Sequence, residues 1–233
     1  MKVLFVISSH SDLGNTNRKT GYYLSEAAHP WKKLQERGIE IDFVSPKGGP
    51  CPLDPASYDL SDPINREFWE DAEVQKKLKN TLAPGGVDSN IFEGIHYVGG
   101  HGACFDFPSN IPLLQLGARI YEHGGVVSAI CHGPSGLLNI KLMGGTYLIQ
   151  GKNVACFTNS EEEAVGLVKA IPFSLQDCMK ERGAYVHVKP NWQSNVQIDG
   201  RLVTGQNPQS STELGDKLGD LVLEIQARRI VAQ

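Results

Sequence analysis

Two short runs of this chain, residues 3–7 (VLFVI) and residues 126–130 (VVSAI), contain only apolar and small side chains. Each run has the length of a strand, and neither alternates with charged residues, so both faces of such a strand must be covered. Parallel strands of α/β proteins have this pattern, because helices pack on both sides of their sheet. The two runs therefore predict a parallel sheet between two layers of helices.

Segments with helical periodicity lie between the runs of strand length. Residues 20–37 and 111–123 carry apolar side chains at helical spacing, and each segment ends before a glycine. The stretch "IEIDFVSP" follows the first helix as a strand, and "GIHYVGGHG" is a short strand that ends in glycines. This alternation predicts an α/β fold, a three-layer sandwich with a mainly parallel central sheet. Ligands of such sheets bind beyond the carboxyl ends of the strands.

The chain contains no segment with the composition of a linker, so we expect a single α/β domain over residues 1–233. Residues 47–62 are rich in glycine, proline and aspartate and are predicted to be a loop. Pro63 then suits the first position of a helix that should run to about Leu82. Residues 47–82 are therefore predicted to be a cap-like insertion of a loop and a helix.

Two later stretches are predicted to be strand pairs. The sequence "GTYLIQGKNVACFTN" reads as two strands around a turn. The sequence "VQIDGRLVTG" predicts a hairpin with Asp199-Gly200 at its turn, since Asp-Gly pairs favour tight hairpin turns. The chain contains no internal repeats.

The net charge and the lengths of the apolar runs limit which partners and which cellular compartment we expect. The net charge is −4 and the basic residues are scattered, which argues against binding to nucleic acid or to an anionic membrane surface. No apolar run reaches transmembrane length or forms a signal-peptide core. We therefore expect a cytoplasmic protein, small enough for nuclear entry by diffusion, whose partner is a small molecule or a protein.

The five cysteines are an odd number without CxxC pairs, which favours reduced thiols over a disulfide framework. Cys131 directly follows the predicted strand at 126–130 and precedes His132, Gly133 and a proline. A sharp strand-to-helix turn at this point is the geometry of a nucleophile elbow. The helix N-terminus would favour the thiolate, and the backbone N–H groups that follow would be available to an oxyanion. The alternative is a buried cysteine that acts as a small apolar residue.

Five segments together carry a resemblance to a known family. They are "AICHGP", "VGGHGACFDFP", "VSPKGGPCPLDP", "TGYYLSEAAHP" and "DGRLVTGQNPQSS", and they span nearly the whole chain in the expected order. The chain resembles the PfpI-like superfamily, and within it the branch of glutathione-independent glyoxalases (glyoxalase III) and related heat-shock chaperones. The resemblance implies a flavodoxin-like sheet with a nucleophile elbow.

The resemblance implies a nucleophilic Cys131, its partner His132 and an acidic residue some thirty positions later that orients the histidine. The stretch "TNSEEEAV" offers Glu161, Glu162 and Glu163, of which the spacing in the family favours Glu163. The residues alone leave the choice open, since acidic residues are also favourable in the first turn of a helix.

Further residues of the pocket are implied by the same segments. Glu26 on the first helix matches a glutamate that lies beside the sulfur, although composition alone describes it as a solvated helix residue. The backbone N–H groups of Gly100 and His132 would bind an oxyanion. His101 and Asp106 would line the pocket, although His101 also fits an ordinary loop histidine.

The activity implied by the resemblance is conversion of methylglyoxal, or another 2-oxoaldehyde, to a 2-hydroxy acid such as lactate without glutathione. The chain would act as a lyase of the D-lactate dehydratase type, through a hemithioacetal on Cys131, with His132 moving a proton. We expect no cofactor and no metal, since the histidines show no ligand spacing, and the family suggests a homodimer. The alternatives are a cysteine peptidase or deglycase, and a holding chaperone for unfolded clients that would not need Cys131.

Overall fold

Six strands of the computed structural model, which describes residues 1–231, form one central sheet, and two shorter strands form a separate pair. In chain order the strands are β1 (Lys2–Val6), β2 (Glu40–Val44), β3 (Gly94–Tyr97), β4 (Val126–Ile130), β5 (Asn153–Val154), β6 (Tyr185–Val186), β7 (Val196–Asp199) and β8 (Leu202–Gly205). The order in the central sheet is β2-β1-β3-β4-β8-β7.

Neighbouring strands of this sheet are parallel except β7, which pairs antiparallel with β8 at one edge. Four neighbouring strands follow the order 2-1-3-4, as in flavodoxin-like sheets, so the predicted mainly parallel sheet is confirmed. The predicted hairpin is also present, but its turn is Gly200-Arg201 and not Asp199-Gly200, because Asp199 is still paired with Leu202. The strand pair predicted within "GTYLIQGKNVACFTN" is wrong, because residues 148–151 form a turn and β5 alone of that stretch is a strand.

Helices cover both faces of the sheet. They are α1 (Leu24–Gln35), α2 (Pro63–Glu70), α3 (Ala72–Lys79), α4 (Ala103–Asp106), α5 (Ile111–Glu122), α6 (Asn159–Ala164), α7 (Leu175–Glu181) and α8 (Ser211–Val231). Within residues 1–231, no helix is both long enough and apolar enough to span a bilayer.

Strand β1 shows why the sheet needs two helical layers. Val3 and Phe5 belong to an apolar core that also contains side chains of α1 and α8, whereas Leu4 and Val6 belong to a second core that contains side chains of α5. All four side chains are fully buried. Successive side chains of a strand point to opposite faces, so an uninterrupted apolar strand requires a core on each side. The predicted three-layer sandwich is confirmed.

The predicted helix from Pro63 to about Leu82 is two helices in the structure. Asp62 caps the first helix, where its side chain accepts hydrogen bonds from the N–H groups of Ile64 and Asn65. Asp71 has an extended backbone that ends α2, and its side chain accepts from the N–H of Val74 at the start of α3. An aspartate between two helical turns is favoured as a cap, which breaks the helix there.

Candidate active site

The chain leaves β4 through a strained turn at Cys131. This residue has a φ angle of +58°, in the left-handed region that non-glycine residues seldom adopt. A short 3₁₀ helix, Gly133–Leu137, follows immediately. A Cβ atom at Gly133 would lie 2.1 Å from the carbonyl oxygen of Tyr97, so the turn packs against β3 and requires glycine at this position. The predicted strand-to-helix elbow is therefore present.

The strained turn brings two consecutive side chains together. Nδ1 of His132 lies 3.4 Å from Sγ of Cys131, and Nε2 of His132 lies 2.7 Å from Oε2 of Glu162. Burial, with a smaller effect of neighbouring His101, lowers the pKa of His132 to about 4, so the imidazole is neutral at neutral pH.

The protonation of Glu162 fixes which nitrogen of His132 carries the proton. Burial alone would raise the pKa of the Glu162 carboxyl, but hydrogen bonds from His101 and His132 lower it to about 2. An ionised carboxylate only accepts hydrogen bonds, so Nε2 of His132 donates to it. Nδ1 is then unprotonated and faces the thiol, where it can accept the proton of Cys131.

The acidic partner of His132 is Glu162, and the choice of Glu163 is wrong. Thr158 caps α6, and the Glu161 side chain folds back onto the backbone N–H and hydroxyl of Thr158 in a capping box. Glu162 comes next on the buried side of the helix, whereas Glu163 is exposed. Successive helical residues are rotated by about 100°, so one residue of register decides which carboxylate reaches the histidine.

His101 contacts the other oxygen of the same carboxylate. Its Nε2 lies 2.8 Å from Oε1 of Glu162, and its ring centroid lies 4.1 Å from that of His132. His101 also lines the cavity over Cys131, where the sequence placed it. Both oxygens of Glu162 are thus engaged by histidines.

Glu26, in the first turn of α1, lies beside Cys131. It is fully buried, and neither carboxyl oxygen has a hydrogen-bond partner of good geometry in the described chain. Burial raises the pKa of Glu26 well above its usual value, despite the nearby Cys131 thiol and the N–H of Gly99. The carboxyl is therefore protonated at neutral pH, so the interpretation of Glu26 as a solvated residue is wrong.

The cysteine itself is more deeply buried than the elbow pattern suggests. Burial raises the pKa of the Cys131 thiol well above its usual range. The expected lowering by the helix N-terminus is therefore opposed by desolvation. Formation of the thiolate thus depends on a nearby base, and His132 is placed to be that base.

The cavity is lined by two residues whose backbone N–H groups are unpaired in the described chain. Those of Gly100 and His132 donate to no acceptor within residues 1–231, and both residues line the cavity that contains Cys131. Free amides beside a nucleophile are suited to stabilise an oxyanion.

The cavity over Cys131 has a volume of about 190 Å³. Tyr23, Phe157 and Trp192 supply aromatic walls, and Leu13 from the loop after β1 packs against Leu167 to close one side. The sequence pattern did not identify these walls, because ordinary apolar residues carry no signal of the cavity that they line. From the predicted cap-like segment at 47–82, the lining includes only Asp54 and Ala56 among the described residues.

A sequence model of the DJ-1/PfpI family matches residues 19–220, which include Cys131, His132, Glu162 and Glu26. This chain belongs to the DJ-1/PfpI family. The resemblance drawn from the five segments is thereby confirmed.

Relatives of this DJ-1/PfpI chain match it over nearly their whole length. The "Glutathione-independent glyoxalase HSP31" of Saccharomyces cerevisiae is 34% identical over 222 residues, covering 90% of this chain and 93% of the relative. Among solved structures, the Rapid Encystment Protein 24 kDa of Francisella tularensis superposes with a TM-score of 0.91 at 39% identity, covering 95% of this chain and 98% of the other. The glyoxalase III of Candida albicans superposes with a TM-score of 0.88 at 28% identity, covering 95% and 97%.

Asp106 does not belong to the cavity of this DJ-1/PfpI chain, contrary to the prediction. Its carboxyl accepts hydrogen bonds from the hydroxyl of Ser8 at 3.1 Å and from the N–H of Ser9 at 2.7 Å. Burial outweighs these bonds and raises the pKa of Asp106 to about 7. Since α4 ends at Asp106, the side chain joins this helix to the loop after β1 and does not face Cys131.

Proposed function

We propose that this chain is a glutathione-independent glyoxalase that converts 2-oxoaldehydes such as methylglyoxal to 2-hydroxy acids such as lactate. The observation that carries the proposal is the set Cys131, His132 and Glu162, in which a neutral imidazole links the thiol to a carboxylate inside a small cavity. Two relatives, the glutathione-independent glyoxalase HSP31 and the glyoxalase III of Candida albicans, support the same activity.

The first step forms a hemithioacetal. Nδ1 of His132 takes the thiol proton as the sulfur of Cys131 attacks the aldehyde carbon. The aldehyde oxygen becomes an alkoxide, which accepts hydrogen bonds from the N–H groups of Gly100 and His132 and then takes the proton back from Nδ1. Atoms and charge balance, and the imidazole is neutral again.

The second step moves a proton between two carbons. His132 removes the proton of the former aldehyde carbon, which leaves an enediolate, and returns it to the neighbouring carbon, while the hydroxyl proton on the first oxygen passes to the second oxygen. The first carbon is oxidised to a thioester while the second is reduced to an alcohol. Because the two changes cancel within one molecule, the step requires no external oxidant or reductant.

The last step releases the product. His132 accepts a proton from a water molecule as its oxygen attacks the thioester carbonyl, and the Cys131 sulfur leaves and is reprotonated. The net reaction adds one water to the 2-oxoaldehyde. Glu162 holds His132 in the tautomer that every step uses, and the neutral Glu26 can donate a hydrogen bond to the sulfur.

The size of the cavity favours a small aldehyde over a peptide. Its volume of about 190 Å³ lies below the usual range of roughly 300–1,000 Å³ for pockets that bind drug-sized ligands. The cavity therefore supports the glyoxalase over the peptidase hypothesis.

The test is formation of D- and L-lactate from methylglyoxal in glutathione-free buffer. Reduced wild-type protein should form lactate, and Cys131→Ala should form none above the uncatalysed rate. Cys51→Ala, a thiol outside this cavity, is the matched control and should behave as wild type. Absence of lactate from folded, reduced wild type would overturn the proposal and leave the holding-chaperone hypothesis, for which Cys131 is not needed.

A further inference from the structure

Trp192 lies on the loop between β6 and β7 and lines the cavity over Cys131. Its ring centroid lies 6.0 Å from that of Phe157, whose ring centroid lies 4.5 Å from that of His132. Since 41% of Trp192 is exposed, the residue lies at the boundary between the cavity and solvent. Trp192 is thus an outer wall of the cavity, and it takes no part in the proposed chemical steps.

The backbone of Trp192 has a conformation that tryptophan seldom adopts. Its φ angle is +65°, in the left-handed region, as is that of Cys131. The N–H of Gln193 donates to the carbonyl oxygen of Pro190 at 3.2 Å, so Trp192 is the third residue of a tight turn. Where this position has a positive φ, as in type II turns, glycine or asparagine is usual. Such strain persists only where the surrounding structure holds the residue in place.

The Glu161 side chain holds this turn in place. Its Oε1 atom accepts hydrogen bonds from the N–H of Trp192 at 3.1 Å and from the side-chain amide of Asn207 at 2.8 Å. Its Oε2 atom accepts from the N–H and the hydroxyl of Thr158 in the capping box. Glu161 is fully buried, so water does not compete for these bonds. One carboxyl group therefore joins the Trp192 turn to the helix that supplies Glu162.

Two further hydrogen bonds fix the residues on either side of Trp192. The side-chain amide of Asn207 also donates to the carbonyl oxygen of Gln193 at 2.9 Å. The side-chain amide of Asn191 donates to the carbonyl oxygen of Ser160, in the first turn of α6, at 3.2 Å. Because the backbone is tied down before and after Trp192, the indole has little freedom to move aside from the cavity.

We propose that Trp192 determines which 2-oxoaldehydes reach Cys131, by excluding those with a bulky substituent on the ketone carbon, and that Glu161 is the positioning residue that keeps the indole in place. The selection among aldehydes rests on the proposed glyoxalase function. The barrier to bulky reagents at Cys131 does not rest on it, because that barrier depends only on the shape of the cavity.

Selection by size follows from the rigidity of the wall. The aldehyde carbon must contact the sulfur of Cys131, so the substituent on the ketone carbon occupies the rest of a cavity of about 190 Å³ that Trp192 bounds. A packed wall that is held by hydrogen bonds cannot move outward without strain. In apolar pockets, one methylene group alone changes kcat/KM by about 10- to 200-fold. A branched substituent should therefore be strongly disfavoured.

The first test compares methylglyoxal with tert-butylglyoxal, in which methyl groups replace the hydrogens of the methyl group. Wild type should prefer methylglyoxal in kcat/KM, and Trp192→Gly should reduce this preference at least about tenfold. Glycine suits the positive φ angle, so the variant removes the indole without adding strain. Tyr185→Ala removes an exposed aromatic side chain outside the cavity and is the matched control, which should keep the wild-type preference. An unchanged preference in Trp192→Gly would overturn the proposal.

The role of Glu161 is tested with a pair of variants. Glu161→Ala removes both acceptor oxygens and should reduce the preference for methylglyoxal in the same direction as Trp192→Gly. Glu161→Gln keeps an oxygen for Trp192 and Asn207, and its amide nitrogen can donate to the hydroxyl of Thr158, so it should retain most of the preference. If Glu161→Ala lowered kcat for both aldehydes alike and left the preference unchanged, Glu161 would only cap α6 and would not position Trp192.

Alkylation of Cys131 gives a second readout that needs no turnover. Iodoacetamide and its N-phenyl derivative carry the same reactive carbon but differ in size, and mass spectrometry measures the rate of modification at Cys131 itself. Wild type should react faster with the smaller reagent, and Trp192→Gly should narrow the ratio of the two rates by about tenfold. Equal ratios in wild type and Trp192→Gly would contradict a size barrier at Trp192. If wild type forms no lactate and the ratios still differ, the proposed function fails while the size barrier stands.

Discussion

Two buried glutamates lie near the Cys131–His132 pair, and their surroundings make one neutral and the other negatively charged. Glu26 on α1 has no hydrogen-bond partner of good geometry within residues 1–231, and burial raises its pKa well above the usual value. Glu162 on α6 is nearly as buried, yet two histidines lower its pKa to about 2. Burial therefore does not decide the charge of a carboxyl group in this site. The charge depends instead on how many hydrogen-bond donors face the carboxyl group.

Because their protonation states differ, the two glutamates have different roles in the proposed reaction. The neutral carboxyl beside the sulfur adds no charge to oppose the thiolate, and it can act as a hydrogen-bond donor. The ionised carboxylate on the other side holds the imidazole with Nε2 protonated and Nδ1 free. Two residues of one type thus stabilise two different groups, in the way that paired carboxylates of acid–base enzymes do.

The largest expected effect comes from removing the charge of Glu162. Glu162→Gln should lower kcat for lactate formation about 10³–10⁴-fold, because the amide no longer fixes the tautomer of His132. The measurement is steady-state kinetics with methylglyoxal. Glu163→Gln alters the adjacent exposed carboxylate and should leave kcat within about twofold. Equal losses in the two variants would contradict the assigned register of α6.

Next in size is the pH dependence of stability, which should have opposite sign for the two glutamates. A carboxyl whose pKa falls on folding stabilises the protein above its unfolded pKa, near 4.5, and this contribution is lost as the pH falls toward 2. Glu162→Gln should therefore reduce the free energy of unfolding by about 3 kcal/mol at pH 7 and by less at pH 3.

For Glu26 the pKa rises on folding, so its contribution to stability is present below about pH 4.5 and is lost as the pH rises through the folded value. Glu26→Gln mimics the protonated form and should become more stable relative to wild type as the pH rises from 4 to 8. Urea unfolding across this range measures both trends. If the stabilities of both variants relative to wild type changed in the same direction with pH, the two glutamates would not differ in protonation as described.

A smaller effect on stability is expected from a substitution that adds a methyl group next to Glu26. A Cβ atom at Gly99 would lie 2.2 Å from Oε2 of Glu26 and 2.6 Å from the carbonyl oxygen of Ile130. Gly99→Ala should therefore reduce the free energy of unfolding by about 1–3 kcal/mol. Gly144→Ala is the control, since a Cβ atom there meets nothing within 4 Å. If Gly99→Ala were as stable as the control, Glu26 could not lie as close to the elbow as described.

The smallest expected effect on activity is that of Glu26→Gln. An amide can replace a protonated carboxyl as hydrogen-bond donor to the sulfur, so kcat should fall by less than about tenfold. The rate of lactate formation at pH 7 measures it, with Glu162→Gln assayed in parallel. A thousandfold loss in Glu26→Gln would show that its charge takes part in the reaction and that the two glutamates are not different in the way described.

Much of the fold could be predicted from the sequence because the signals are local. Uninterrupted apolar runs such as VLFVI require cover on both faces, which specifies a parallel sheet between helices. The break at Asp71 was missed, since an aspartate within a helical pattern acts as a cap only where the chain turns. Local patterns thus predicted the layers and most elements, but not each boundary.

For the site, the order of residues around Cys131 and the family resemblance together predicted Cys131 as the candidate nucleophile, with His132 and Glu26 beside it. Tertiary structure decided the rest. Glu162 rather than Glu163 meets His132 because the Thr158 cap sets the register of α6, and Asp106 is held by Ser8 and Ser9 away from the cavity. The different charges of the two buried glutamates, and the meeting of His101, His132 and Glu162, depend on which side chains converge from distant parts of the chain. Burial and hydrogen-bond partners are properties of the packed molecule, so a linear pattern does not contain them.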